Sequence, residues 1–288
     1  MDQPLVHPLL EAHRQKNAAS RDNWQNFAQH RTRVTDLLVE AAGEIVEPRG
    51  LILGAGNCND LDLPRLRKRF ATIDLVDCDC QSVLEGIARQ GLATDAAIQV
   101  IGPIDLSGIA ESVHARSSDP LAADNTASLA LPAAAICPIK LPVPPADVVA
   151  SVCLLSQIFD DLGTAVGPTD PRFLSLLQQV RQSHFQLLID HLKPGGTGLL
   201  VTDLVSSESA PQIVSATPLA LPAMLQQLIE VGNFFTGLNP AVIYAQLTAD
   251  RKLSPQVTGA TVSQPWLWDF GARVYAVYAV RFRRDTGG

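Results

Sequence analysis

Two rhythms of apolar positions alternate along the chain. Residues 20–44 place Trp24, Phe27, Arg31, Val34, Leu38 and Ala41 at three- and four-residue steps, the spacing of one helix face. Pro48 and Gly50 stop that helix before Leu51-Ile52-Leu53, a short apolar run closed by glycine, which reads as a buried strand and a sharp turn. The alternation then repeats: a helix over 61–70, a strand over 73–76 ending in Asp77-Cys78-Asp79, a helix over 81–90 and a third strand over 97–101. A fourth strand covers 147–152. Pro171 opens a helix carrying Phe173, Leu176, Leu177, Val180, Leu187 and Leu188, and the run Leu192-Lys193-Pro194-Gly195-Gly196 ends it and leads into a fifth strand over 198–204. Asn239-Pro240 reads as an N-cap with proline at the first helical position, opening a helix to about residue 249. Two β-rich runs, 261–270 and 273–282, close the chain as a hairpin.

Strands separated by helices predict a doubly wound α/β fold, a mostly parallel sheet with helices on both faces. Residues 1–16 lack periodicity and read as a poorly tied arm. With the helix after them, residues 1–44 form an N-terminal helical extension, and 45–288 form one domain. Residues 111–146, with six prolines and many alanines, read as a surface insert, and 206–255 as an elaboration on the substrate side. Ligands of such sheets bind beyond the carboxyl ends of the strands, so the residues following each strand are the ones to inspect.

Composition narrows the function. A net charge of −7 argues against nucleic acid as a partner, since phosphate neutralisation needs clustered Lys and Arg. The short basic stretches at 65–69 and 281–284 read as solvated edges. Cys58, Cys78, Cys80, Cys137 and Cys153 form no C-x-x-C pair and have no histidine at zinc spacing. They predict buried thiols in a reducing compartment and no metal. With no signal-peptide core and no apolar run long enough to span a bilayer, the expectation is a cytoplasmic protein without a membrane partner. Monomer and homodimer both stay open.

The first strand ends in Gly54-Ala55-Gly56-Asn57-Cys58-Asn59. Its two glycines let the backbone approach a ligand, but Asn59 stands where a dinucleotide fingerprint has its third glycine. Asp77 lies 21 residues after Gly56, where a carboxylate can accept from both hydroxyls of a ribose; Asp79 reads as the cap of the next helix. Asp105, before Leu106, suits an exocyclic amine or a plain turn. No G-x-S-x-G, P-loop or H-E-x-x-H is present.

This order of features, with the run from Leu192 to Val201, resembles class I (Rossmann-like) S-adenosylmethionine-dependent methyltransferases. The resemblance covers roughly residues 45–205 well and the tail loosely. It implies a seven-stranded sheet whose last two strands form an antiparallel pair. It implies S-adenosyl-L-methionine as cofactor, S-adenosyl-L-homocysteine as product and a small-molecule acceptor. Gly54, Ala55, Gly56 and Asn57 would surround the methionine part, Asp77 and Cys78 the ribose, and Asp105 and Leu106 the adenine, while Ser151, Val152 and Cys153 would line the sulfonium. Two positions depart from the family: Ile52 replaces an acid that is often tied to the cofactor's amino group, and Cys58 replaces the third glycine. Asp60 or backbone carbonyls are then the candidates for that amino group. Trp24, Arg31, Gln157 and Asp203 are candidate substrate residues; Trp24, Phe27, His30 and Arg31 share one face of the first predicted helix, which reads as packing on the sheet or, alternatively, as a cover over the cleft. No catalytic residue stands out. An NAD(P)-dependent oxidoreductase and a catalytically degenerate, methyltransferase-like binding protein are the alternative readings.

Overall fold

The computed structural model describes residues 8–109 and 139–287. Two helices, α1 (Pro8–Ser20) and α2 (Ala28–Ala42), precede the sheet. Then follow β1 (Arg49–Leu53), α3 (Leu63–Arg69), β2 (Thr72–Val76), α4 (Cys80–Arg89) and β3 (Ile98–Ile101). Beyond residue 139 come β4 (Ala146–Val152), α5 (Leu155–Val166), α6 (Phe173–Asp190), β5 (Leu192–Ser206), α7 (Leu221–Glu230), α8 (Pro240–Ala249), β6 (Val257–Val262), β7 (Trp266–Asp269) and β8 (Val274–Arg284).

The strands form one sheet in the order β3-β2-β1-β4-β5-β8-β6, and β7 also pairs with β8. The strands from β3 to β5 are parallel; β8 runs antiparallel to β5, β6 and β7. The predicted doubly wound α/β architecture is present, with the strand count corrected from seven to eight. Pro265 explains the difference. The expected run 261–270 splits around it, because proline cannot donate to the ladder. β6 and β7 are successive stretches along the same edge of β8, ending at Val262↔Val280 and resuming at Trp266↔Val277.

The sheet is buried on both faces, as its nearly continuous apolar strands require. Leu51 and Leu53 enter one hydrophobic cluster with α5, α6, α7 and α8; Ile52 enters the other with α2, α3 and α4. The period of two along β1 therefore distributes its side chains between two helical layers. The Lys193–Gly196 run lies at the start of β5, inside a register shift opposite β4. Lys193 binds Asp147 at 2.9 Å, and a Cβ on Gly196 would meet Lys193 O at 2.9 Å. The motif thus fastens β5 to β4 at the edge of the sheet farthest from the strand carboxyl ends.

Three further expectations are corrected. Residues 8–16 are not a loose arm but most of α1; residues 1–7 lie outside the described part. α2 begins at Ala28 rather than near residue 20, and 21–27 are turns. α5 and α7 stand outside the elements predicted, although Leu155, Ile158, Phe159 and Leu162 keep helical spacing. Residues 111–138, most of the predicted insert 111–146, lie outside the described residues. Its return is anchored where Leu141 N–H donates to His191 Nε2.

Candidate functional site

The carboxyl ends of β1 and β2 are tied by their own backbone. Gly54 N–H donates to Val76 O at 2.9 Å. Gly54, Gly56 and Cys58 all have positive φ, at 75°, 48° and 54°. Cys58 therefore keeps the left-handed backbone that glycine adopts freely, with its side chain fully buried against Val83 O. Asp77 holds this turn: its Oδ2 accepts Gly56 N–H and its Oδ1 accepts Asp79 N–H, each at 2.8 Å. Asp79 in turn caps α4, accepting Ser82 N–H at 3.3 Å and also Ser82 Oγ at 2.6 Å, the role read from sequence.

A cleft opens above this turn. Gly54, Gly56, Asp77, Cys78, Asp105 and Leu106 line one side. Leu154, Gln157, Ile158 and Asp161 form the wall at the start of α5, and Leu10, His13 and Asn17 of α1 close the top. Asp105 accepts from Ser107 N–H at 2.8 Å and from Ser107 Oγ at 2.5 Å. Burial and neighbouring acids, Asp77 first, push the Cys78 thiol far up and keep it protonated. His13 Nε2 lies 2.6 Å from Asp161 Oδ2. Burial opposes the imidazolium, but the bond and the charge of Asp161 outweigh it and raise the His13 pKa above its ordinary value.

The remaining predicted residues sit elsewhere. Ala55 and Asn57 are buried beneath the turn, where Asn57 Nδ2 donates to Asn17 O at 2.6 Å and to Ser20 Oγ at 2.9 Å. Ser151 pairs with His184 Nε2 at 2.8 Å, Val152 packs in the cluster of α2 to α4, and the Cys153 Sγ lies 3.8 Å from His30 Nε2. At the end of β4 it is Leu154 that reaches the cleft. Gln157 lines it too, while its Nε2 donates to Cys153 O. Arg31 stacks 3.5 Å from the Trp24 ring centroid and donates to Trp24 O and Asn59 O. Phe27 and His30 pack against Trp268. The helix over the cleft is thus α1 rather than α2.

Two further acids carry raised pKa values, Asp203 within β5 and Asp60 in the turn after β1. Asp203 accepts from Ser156 Oγ at 2.6 Å, and burial raises its pKa. Asp60 lies 3.4 Å from His30 Nε2, and burial pushes its pKa up to about 7. Trp266 Nε1–H donates to His30 Nδ1 at 3.1 Å. Indole only donates, so His30 carries its proton on Nε2, facing Asp60 and Cys153, and burial lowers its pKa to about 3. Among the described residues no group of His, Cys, Asp and Glu is arranged to hold a metal.

His13, Asn17 and Asp161 are the site residues that sequence reasoning missed. The signal for the first two is a polar stripe, His13, Asn17 and Ser20, at helical steps.

No protein-family model and no curated protein matches the sequence. Among solved structures the chain is similar to the N-methyltransferase NodS from Bradyrhizobium japonicum WM9 in complex with S-adenosyl-L-homocysteine, at 12% identity over 88% of this chain and 86% of that one (TM-score 0.43). It is similar to the YcgJ protein from Bacillus subtilis at 11% identity over 89% of this chain and 100% of that one (TM-score 0.49). It is similar as well to the plantazolicin methyltransferase BpumL in complex with a monoazolic desmethylPZN analog and S-adenosyl-L-homocysteine, at 10% identity over 94% and 90% of the two chains (TM-score 0.46).

Proposed function

We propose that this chain binds S-adenosyl-L-methionine and transfers its methyl group to a small-molecule acceptor. The observation that carries the reading is the convergence of Gly54, Gly56, Asp77 and Asp105 on one cleft at the carboxyl edge of the sheet. The antiparallel strand between β5 and β6 agrees with the family the sequence resembles.

The residues present fit the cofactor. Both glycines sit where a side chain would crowd the cleft walls, since a Cβ on Gly54 would meet Leu154 Cβ at 2.9 Å and one on Gly56 would meet Asn17 Oδ1 at 3.2 Å. Asp77 accepts one backbone N–H on each oxygen, and the Cys78 thiol bonds it as well; a carboxylate's four acceptor sites leave capacity for a ribose hydroxyl. Asp77 and Asp105 give one side of the cleft an acidic character, which suits a sulfonium cation, while Asp161 is paired with His13. The chemistry this cofactor supplies is an electrophilic methyl group. The protein's share is to position and desolvate it, with Leu154 as the apolar wall. Asp203, which accepts from Ser156 and whose pKa burial raises, is the candidate group for exchanging a proton with the acceptor.

Ile52 is buried in the core, so the amino-group acid of the resembling family has no counterpart there, and Asp60 faces His30. The Asn59 side chain binds Ser20 O and Arg89, which argues against the close pyrophosphate approach a nicotinamide cofactor needs. No helix among the described residues is long and apolar enough to cross a membrane. A cytoplasmic location belongs to the same proposal and is supported by the unpaired thiols of Cys58, Cys78, Cys80 and Cys153. Calorimetry with S-adenosyl-L-homocysteine and with NAD tests the reading. Binding of the first alone supports it, binding of NAD alone replaces it with an oxidoreductase, and binding of neither leaves a degenerate fold.

A further inference from the structure

We propose that α1 is a hinged lid over the cleft, clasped to both rims by polar side chains and turning about residues 20–23. The inference rests on the proposed function only for the identity of the ligand beneath the lid.

Three observations carry it. First, α1 lies across the mouth: Leu10, His13 and Asn17 line the cleft from above, opposite Gly54, Gly56 and Asp77. Second, its fastenings reach both sides. Asn17 Nδ2 donates to Asp79 Oδ2 at 3.1 Å on the α4 side, while His13 binds Asp161 and Lys16 Nζ donates to Asp160 at 2.9 Å on the α5 side. Third, none of its described residues belongs to either hydrophobic cluster. Apart from Leu10 at the cleft, the fastenings from residue 10 to 20 are polar contacts that water can replace, and a helix held in this way opens at lower cost than the packed elements below it.

The hinge is equally specific. Asn59 Nδ2 fixes Ser20 O at 2.8 Å and Arg89 fixes Arg21 O at 2.9 Å. From Asn23, which donates to Phe270 O, the chain is anchored through Trp24 and Phe27. Asn59, the departure from the dinucleotide fingerprint, therefore holds the base of the lid. Seated, α1 excludes solvent from the cleft; lifted, it opens the side through which a ligand enters, the usual division of labour for a lid.

The test is hydrogen exchange on the full-length chain without ligand, together with the dissociation rate of S-adenosyl-L-homocysteine, for the wild type and for His13→Ala/Lys16→Ala. The expected result is that the α1 amides exchange as one group, roughly tenfold faster in the variant, while β1, β2 and β4 are unchanged. Dissociation of S-adenosyl-L-homocysteine quickens by a similar factor. Unchanged exchange in α1, or a gradient of fraying instead of a common rate, overturns the lid. Unchanged dissociation of a bound ligand overturns its gating role. If the wild type does not bind S-adenosyl-L-homocysteine, the proposed function fails and the exchange data decide the hinge separately.

Discussion

The carboxylate of Asp77 accepts the backbone N–H of Gly56 at 2.8 Å, so the acid that ends β2 holds the glycine turn that ends β1. One side chain thereby shapes the turn and faces the cleft above it. Its neighbour Asp79 is spent on capping α4 and holding Asn17.

The two acids should separate by readout. Asp77→Ala is expected to weaken S-adenosyl-L-homocysteine binding by roughly 2–4 kcal/mol, since hydrogen bonds to a charged acceptor count about 1.5–3 each and do not add. Asp79→Ala should lower the melting temperature, through the lost cap of about 1 kcal/mol, and change affinity far less. Calorimetry and thermal denaturation on both variants measure this. Equal affinity losses would move the ribose site.

Gly56→Val should abolish ligand binding while the sheet stays folded. Its φ of 48° is costly for a β-branched residue, about 1–2 kcal/mol, and its side chain would press on Asn17 Oδ1. Circular dichroism together with calorimetry checks both halves. Normal binding would place the ligand elsewhere.

Most of the fold is legible in the sequence because its strands and helices bury apolar positions at their own periods. The five parallel strands and the tail follow from Leu51-Ile52-Leu53 and its successors. The cleft is half legible. Gly54, Gly56, Asp77 and Asp105 follow from their places after strands, but Ser151 looks like a cleft residue until its bond to His184 is known. The lid escapes a reading based on apolar stripes, since His13, Asn17 and Ser20 make its contacts by hydrogen bonds. Arg31 and Trp24 escape for a different reason: a cation stacked on a ring has the same sequence signature as a pair waiting for a substrate.

Asp60 gives a prediction about stability. Burial raises its pKa from 3.8 to about 7, so the folded state favours the neutral acid. Stability is therefore highest with this group protonated in both states and falls as pH rises from about 4 to 7, where only the unfolded chain ionises. Asp60→Asn should raise the melting temperature at pH 8 by more than at pH 5. Equal shifts at the two pH values would show that Asp60 ionises normally.

His13 carries the opposite sign and reports on the lid. Asp161, through its hydrogen bond and charge, and Asp77 raise its pKa; burial and Lys16 oppose them, and the net direction is upward from 6.5. A histidine whose folded pKa is raised contributes stability below its unfolded pKa and loses it as pH rises through the folded value. The clasp on the α5 side is therefore strongest in mild acid and loosens above the raised pKa, when the imidazole becomes neutral. An NMR titration of the His13 ring should give a midpoint above 6.5, and Asp161→Asn should bring it down. Over the same interval, hydrogen exchange in α1, corrected for the intrinsic rise with pH, should accelerate in the wild type and not in the variant. A His13 midpoint at or below 6.5 would mean that burial outweighs Asp161 and that the ion pair does not hold the lid.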